Sequence, residues 1–139
     1  MAPSTSTGRG GVRGSRGFTL LELITVVALV SILAAIALPQ YKVAIIQAKE
    51  ATLRENLFRF RDLIDQYQAD KGKYPASLEA LVQEGYLRQI PVDPITQTAE
   101  WEAVFAEPEA DRPGDVPGVF DVKSKSALTS LSGTLYSEW

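Results

Sequence analysis

Three hydrophobic patterns follow one another along the chain. From Phe18 to Leu38 the residues are almost all apolar, and Glu22 is the only charge among them. About 21 residues at ~1.5 Å each make roughly 30 Å of helix, the thickness of a bilayer core. Pro39 closes the apolar run, but a helical pattern continues past it. Leu53, Leu57, Phe60, Ile64 and Tyr67 recur at spacings of four and three, one apolar stripe down a helix. Tyr41, Ile45, Ala48 and Thr52 are expected to extend that stripe backward with smaller residues. Arg54, Glu55, Arg59, Arg61, Asp62, Asp65 and Gln66 fall mostly elsewhere. Such a mixed-charge face is usually solvated, or bridges copies in a packed assembly. Gly72 is placed to take the left-handed cap after Lys71. Phe18 to Lys71 is then one helix of roughly 80 Å. A small domain has no use for that length, so about half must lie outside it. Pro39 removes a backbone donor and clashes with the preceding turn, which predicts a kink or weak point over Ala35–Pro39.

The third pattern, from Gly72 onward, is short and turn-rich. Ser77 is a plausible N-cap, Glu79 suits a first turn and Gly85 a C-terminal cap, with Leu78, Leu81 and Val82 as the inner face of a short helix. The prolines of "IPVDPIT" bias their predecessors away from helix. Trp101, Ala103 and Phe105 alternate as in a strand, Val119 to Val122 reads as a second, and Thr134 to Tyr136 as a last short one. The acidic stretch of 106–118, rich in proline and glycine, reads as a loop long enough to suspect a role. Three short strands need a surface to cover, and the stripe on the long helix supplies it. The expected class is α+β: a long N-terminal helix, membrane half plus amphipathic half, packed on a small antiparallel sheet with a short helix.

Composition narrows the chemistry. The chain has no Cys and no His, which removes disulfides, Cys/His metal sites and nucleophilic schemes needing a Cys or a His base. Asp93 and Asp121 have no base, nucleophile or pocket pattern beside them, so no enzyme is expected. The net charge of −3 argues against nucleic acid as the main partner. Charge is also unevenly placed. Arg9, Arg13 and Arg16 precede the apolar run, and no acid lies before Glu22. Without residues 1–17, eleven basic residues face seventeen acidic ones and the net charge is −6. "GRGGVRGSRG" slightly resembles an arginine–glycine RNA-binding tract, but the apolar run that follows at once favours a basic leader whose end faces the cytoplasm.

Three export readings fit such a leader. One is a cleaved secretory signal, with "AIA" at Ala35–Ala37 as its small-residue site; one is a plain anchor; one is a prepilin leader. Glu22 separates them. A carboxylate in hydrocarbon costs a few kcal/mol or more without a partner, and a passive signal or anchor gains nothing from it. Cleavage between Gly17 and Phe18 makes a new α-amino group four residues away, and that amine on a neighbouring copy is a cation of suitable charge and depth.

"RGFTLLELITVVALVSILAAIALP" resembles the N-terminus of type IV pilins and of type II secretion pseudopilins, at Gly17 before the cut, Phe18 after it, Glu22 and Pro39. "DKGKYPASLEALVQEGYLRQIPVDP" is similar to the segment after the long helix in major pseudopilins, at Gly72, Tyr74, Pro75, Leu81, Gly85, Tyr86, Leu87, Pro91, Asp93 and Pro94. The resemblance implies four parts: a leader over 1–17, a transmembrane and filament-core half-helix over 18–38, an amphipathic half over 39–71, and a periplasmic or extracellular head over 72–139. It implies cleavage after Gly17 by a prepilin peptidase, N-methylation of Phe18, and Glu22 as the assembly carboxylate. It implies a single pass of the bacterial inner membrane, then a periplasmic or cell-surface filament. The implied partners are copies of the chain, minor pseudopilins or pilins, an inner-membrane assembly platform and a cytoplasmic ATPase. The favoured role is the major pseudopilin of type II secretion. The alternatives are the major pilin of a type IV surface pilus and a secreted protein with an ordinary signal.

One departure concerns calcium, which major pseudopilins commonly bind in an aspartate-rich C-terminal loop. Here "FDVKSKSALTSLSGTLYSEW" offers Asp121 and Ser124 but adds Lys123 and Lys125, with Leu135 and Tyr136 where an acidic pair would stand. Calcium wants several oxygen ligands carrying negative charge. The competing expectation is a loop held by hydrogen bonds and by packing around Tyr136 and Trp139.

Overall fold

A computed structural model describes residues 1–4, 17–107 and 117–139. The leader arginines Arg9, Arg13 and Arg16, and most of the expected 106–118 loop, lie outside the described residues. The elements run α1 (Leu20–Lys71), α2 (Leu78–Gln83), β1 (Trp101–Phe105), β2 (Val119–Ser124) and a 3-10 turn at Tyr136–Glu138. The chain divides into two compact units, Met1–Pro39 and Gln40–Trp139. The first holds the apolar start of α1. The second holds everything else.

In the second unit, the expected stripe is the core. Leu53, Leu57, Phe60, Ile64 and Tyr67 of α1 are buried with Leu78 and Leu81 of α2, Trp101 of β1, Val119 and Val122 of β2, and Tyr136. Phe60 meets Trp101 edge-on, with ring centres 5.1 Å apart, and Tyr67 tilts against Tyr86 at 5.2 Å. Backward extension of the stripe does not hold. Tyr41, Ile45, Ala48 and Thr52 are all exposed, and burial on α1 begins at Glu50. The elements of this unit are short, and among the described residues none covers the helix before that point. Phe58 is exposed too, off the stripe as its spacing requires.

α1 ends where expected. Gly72 adopts a left-handed φ of 70° and its N–H bonds the Gln68 carbonyl at 2.8 Å, a conformation that favours glycine. Ser77 takes the N-cap position of α2 in extended backbone but makes no side-chain capping bond. Before α2, the tyrosine–proline turn is pinned by β2: the Val119 N–H donates to the Pro75 carbonyl at 2.8 Å. Gly118 sits so close to this turn that a Cβ there would lie 2.5 Å from the Tyr74 Cβ and 2.8 Å from its main chain.

β1 and β2 pair antiparallel, from Trp101 opposite Ser124 to Phe105 opposite Val119. Between Val104–Asp121 and Phe105–Val119 the register slips, leaving Phe120 as the extra residue of a bulge. Regular alternation would send Val119 and Val122, three apart, to opposite faces. The bulge lets both enter the core, where each is fully buried. The expected third strand is not one. Thr129 and Leu135 form an isolated bridge, and Tyr136 begins the 3-10 turn. The turn between those residues is too tight to lengthen the ladder, because Ser130 N–H already bonds Thr134 O, and Gly133 N–H bonds Ser130 O.

Candidate functional site

In the first unit, the chain starts α1 at Leu20 with a cap that its sequence spells out. Thr19 Oγ1 accepts the Glu22 N–H at 3.2 Å, and the Thr19 carbonyl accepts the Leu23 N–H at 3.1 Å. Thr19-Leu20-Leu21-Glu22 has the Thr-x-x-Glu sequence of a capping box, of which the threonine half is formed. Glu22 sits in the first turn, where the helix dipole favours an anion. That pattern is legible in the sequence, but it is overshadowed there by Glu22 as the single charge of the apolar run. Among the described residues, no hydrogen bond or ion pair reaches its carboxylate. Gly17 and Phe18 precede the helix in exposed, irregular chain, and nothing lies within 4 Å of a Cβ built at Gly17. The peptide between them is therefore sterically accessible.

Downstream of the cap, every large apolar side chain through Leu38 is exposed, among them Leu21 at 75%, Val26 at 48% and Leu33 at 67%. The helix is long and apolar enough to cross a membrane. Its polar hydroxyls are absorbed internally: Thr25 Oγ1 donates to the Leu21 carbonyl at 2.8 Å and Ser31 Oγ to the Val27 carbonyl at 2.7 Å. These two hydroxyls therefore present no unsatisfied donor to lipid or to an apolar neighbour. Pro39 lies inside α1, with helix on both sides.

The second unit holds the residues considered for calcium, and each has another occupation. Asp121 Oδ1 accepts Arg61 Nε at 2.7 Å and its neighbour's Val122 N–H at 2.7 Å. Ser124 Oγ donates to Asp93 Oδ2 at 2.5 Å. Asp93, fully buried, also accepts the Ile95 and Thr96 N–H groups on Oδ1. Asp93 and Asp121 therefore serve separate networks and form no pair. Among the described residues, no group of three or more acidic side chains gathers as a metal would require.

The mixed-charge face of α1 is solvated as expected at Arg54, Glu55, Arg59, Asp62, Asp65 and Gln66, with Arg61 half-buried, but a further charge upstream is not. Glu50 is buried and accepts the Leu131 N–H at 2.8 Å and the Tyr136 hydroxyl at 3.0 Å on one oxygen. Arg54 pairs with its other oxygen at 3.6 Å and stacks on the Trp139 ring at 4.2 Å. Arg61 bonds both Asp121 and the main-chain oxygen of Trp139. Desolvation, then the bond to Glu50, raises the Tyr136 pKa above its ordinary value, while Arg54 opposes the rise. At the other end of the stripe, Lys71 bonds Glu84 at 3.1 Å and the Tyr86 hydroxyl donates to Asp70 at 2.8 Å. These contacts raise the pKa of both Lys71 and Tyr86.

A capped, fully exposed apolar helix start and a small α+β unit built on the same helix's second half define a pilin-like subunit. The family described as "Prokaryotic N-terminal methylation motif" matches residues 12–38. The type II secretion system core protein G of Pseudomonas aeruginosa is 35% identical over 98 residues, covering 59% of this chain and 69% of that protein. The protein of the same name from Pectobacterium carotovorum is 30% identical over 105 residues, covering 64% and 67%. The type IV wide pilus major component PilA4 of Thermus thermophilus is 32% identical over 74 residues, covering 53% and 56%. No solved structure gives a significant match. The chain belongs to the family of type II secretion system core protein G.

Proposed function

We propose that the chain is the major pseudopilin of a type II protein secretion system, a structural and non-catalytic subunit of a helical filament. A prepilin peptidase cuts the leader after Gly17, and the new N-terminus at Phe18 is methylated. The subunit waits in the bacterial inner membrane, crossing it once, with its head on the far side. An assembly platform driven by a cytoplasmic ATPase then extracts it. Phe18 to Leu38 moves from lipid into a bundle of neighbouring helices, so its apolar surface stays dry throughout. Glu22 pairs with the Phe18 amine of another copy, a head-to-tail contact that does not close and so grows a fibre. Pro39 lets the helix adjust as copies pack. Minor pseudopilins join the same filament.

The observation that carries this reading is the likeness to the Pseudomonas protein across 69% of its length, together with the unbroken exposure of the apolar half-helix. N-terminal sequencing of the mature protein tests it. A start at methylated Phe18 is expected, while a start at Leu38, after "AIA", would sink the filament reading. The likeness to the Thermus pilus component favours a second reading, the major pilin of a type IV surface pilus. Long fibres on cells at native expression would establish it, and fibres seen only on overproduction would exclude it.

A further inference from the structure

The C-terminal segment of the head is poor in the acidic ligands that a bound cation needs. From Val122 to Ser137 there is no acidic residue, and Lys123 and Lys125 add two positive charges. Calcium takes six to eight oxygens with substantial negative charge. The acidic and hydroxyl side chains near at hand already have protein partners. Asp121 neutralises Arg61. Asp93 holds three donors, one of them the Ser124 hydroxyl. Ser124 Oγ in turn accepts the Ser126 N–H at 3.1 Å, and Ser126 Oγ the Leu128 N–H at 3.2 Å. The Leu128 carbonyl receives the Tyr136 N–H, and the Thr134 carbonyl receives the Ser130 N–H. The residues present do not fit the metal.

What closes the segment instead comes from α1. Glu50 reaches 81 residues along the chain to the Leu131 N–H and 86 to the Tyr136 hydroxyl. It is a buried carboxylate whose second oxygen faces Arg54. We propose that Glu50, with Asp93 as a second anchor, closes the 124–136 segment in place of a bound cation, so that the head of this chain folds and stays folded without calcium. The geometry of the exchange is simple. A cation gathers loop oxygens around a positive centre; Glu50 gathers a loop N–H and a hydroxyl around a negative one. A tyrosine at position 136 serves the second arrangement, because its hydroxyl donates to the carboxylate. This inference goes beyond the filament assignment, and its test does not use filaments or secretion.

The test is made on the processed full-length protein in detergent micelles. A ligand held at a hundred times its dissociation constant would raise the thermal midpoint of a domain this size by about 10 °C or more. The expected result is one midpoint, within about 2 °C, in excess EGTA and in millimolar calcium chloride. A larger rise with calcium, abolished by Asp121→Asn or not, overturns the proposal. Hydrogen exchange gives the positive arm. In Glu50→Ala the Leu131 amide should lose about tenfold or more of its protection while β1 and β2 keep theirs. Unchanged protection at Leu131 also overturns the proposal. If Glu50→Ala does not fold, Glu50→Leu, which fills the space and removes the acceptor, is measured the same way, with the same loss expected at Leu131 and the same unchanged protection overturning the proposal.

Discussion

The two parts of α1 on either side of Pro39 are built of one secondary structure and one strand of sequence, yet they bury nothing alike. Before the proline, all the large apolar side chains are exposed. After it, five residues of a stripe are buried and their polar neighbours are enlisted as anchors. The first part is apolar on every side and the second on one side only. A helix apolar all round must find its cover outside the chain, in lipid or in other copies; one with a single stripe can be satisfied by a small domain. Assembly and folding are thus separated along the helix, and substitutions should separate them too.

The largest expected effect breaks assembly alone. Glu22→Ala should leave leader removal and the head's thermal midpoint unchanged while filament yield drops sharply, read by pull-down of sheared filaments and by melting. Normal filaments from this variant would refute the pairing role and leave Glu22 as an acid favoured by the helix dipole of the first turn. Thr19→Ala sharpens the distinction, since it removes the cap and keeps the carboxylate; filaments should persist.

On the other side of Pro39, Phe60→Ala removes a ring from the centre of the core. A cost of about 3–5 kcal/mol is expected, read as a fall in the denaturant midpoint. Leu29→Ala, a comparable truncation in the exposed part, should leave that midpoint unmoved. Gly118→Ala should cost about 1–3 kcal/mol, because the added methyl collides with Tyr74 main chain, which has little freedom to retreat. A neutral outcome would mean that the tyrosine–proline turn gives way.

Tyr136→Phe is smaller, about 1 kcal/mol, since Glu50 keeps its bond from Leu131. Its pH signature is more telling. The folded-state pKa of Tyr136 is raised, so its contribution is complete below the unfolded value of about 10 and is lost as pH climbs through the folded value. Stability should therefore fall more steeply above pH 10 in the parent than in the variant. Least of all, Lys71→Ala breaks an exposed pair with Glu84, and no measurable change in the midpoint is expected.

Local signals carried the long helix, its stop at Gly72, the core stripe, the short helix and both strands, and these elements needed little more than periodicity and turn chemistry. Errors came where the chain meets itself from afar. Tyr41, Ile45, Ala48 and Thr52 have stripe spacing, but spacing does not say how far along a helix the head extends. Thr134 to Tyr136 has the look of a strand, but the serine-rich turn beside it and the pull of Glu50 on Tyr136 make a bridge and a 3-10 turn. Ser77 has the right position for a cap and no bond to show for it. The charge at Arg61 read as solvated because nothing nearby in sequence needs it, and Glu50 carries no local sign of its burial.

By itself, then, the sequence determined where apolar surface lies and which backbone conformations are cheap: an all-round apolar span, a one-sided stripe, a threonine cap and a glycine stop. These follow from side-chain period and local sterics within a turn or two. Only the tertiary structure decided which polar groups are spent inside the head, with Glu50 bound to Tyr136, Arg61 to Asp121 and Asp93 to Ser124. It also decided that Gly118 lies against Tyr74 and that a bulge turns two valines inward. The reason is physical. A buried charge or a close backbone contact is stabilised by a partner dozens of residues away, and which partner arrives depends on the packing of the whole unit.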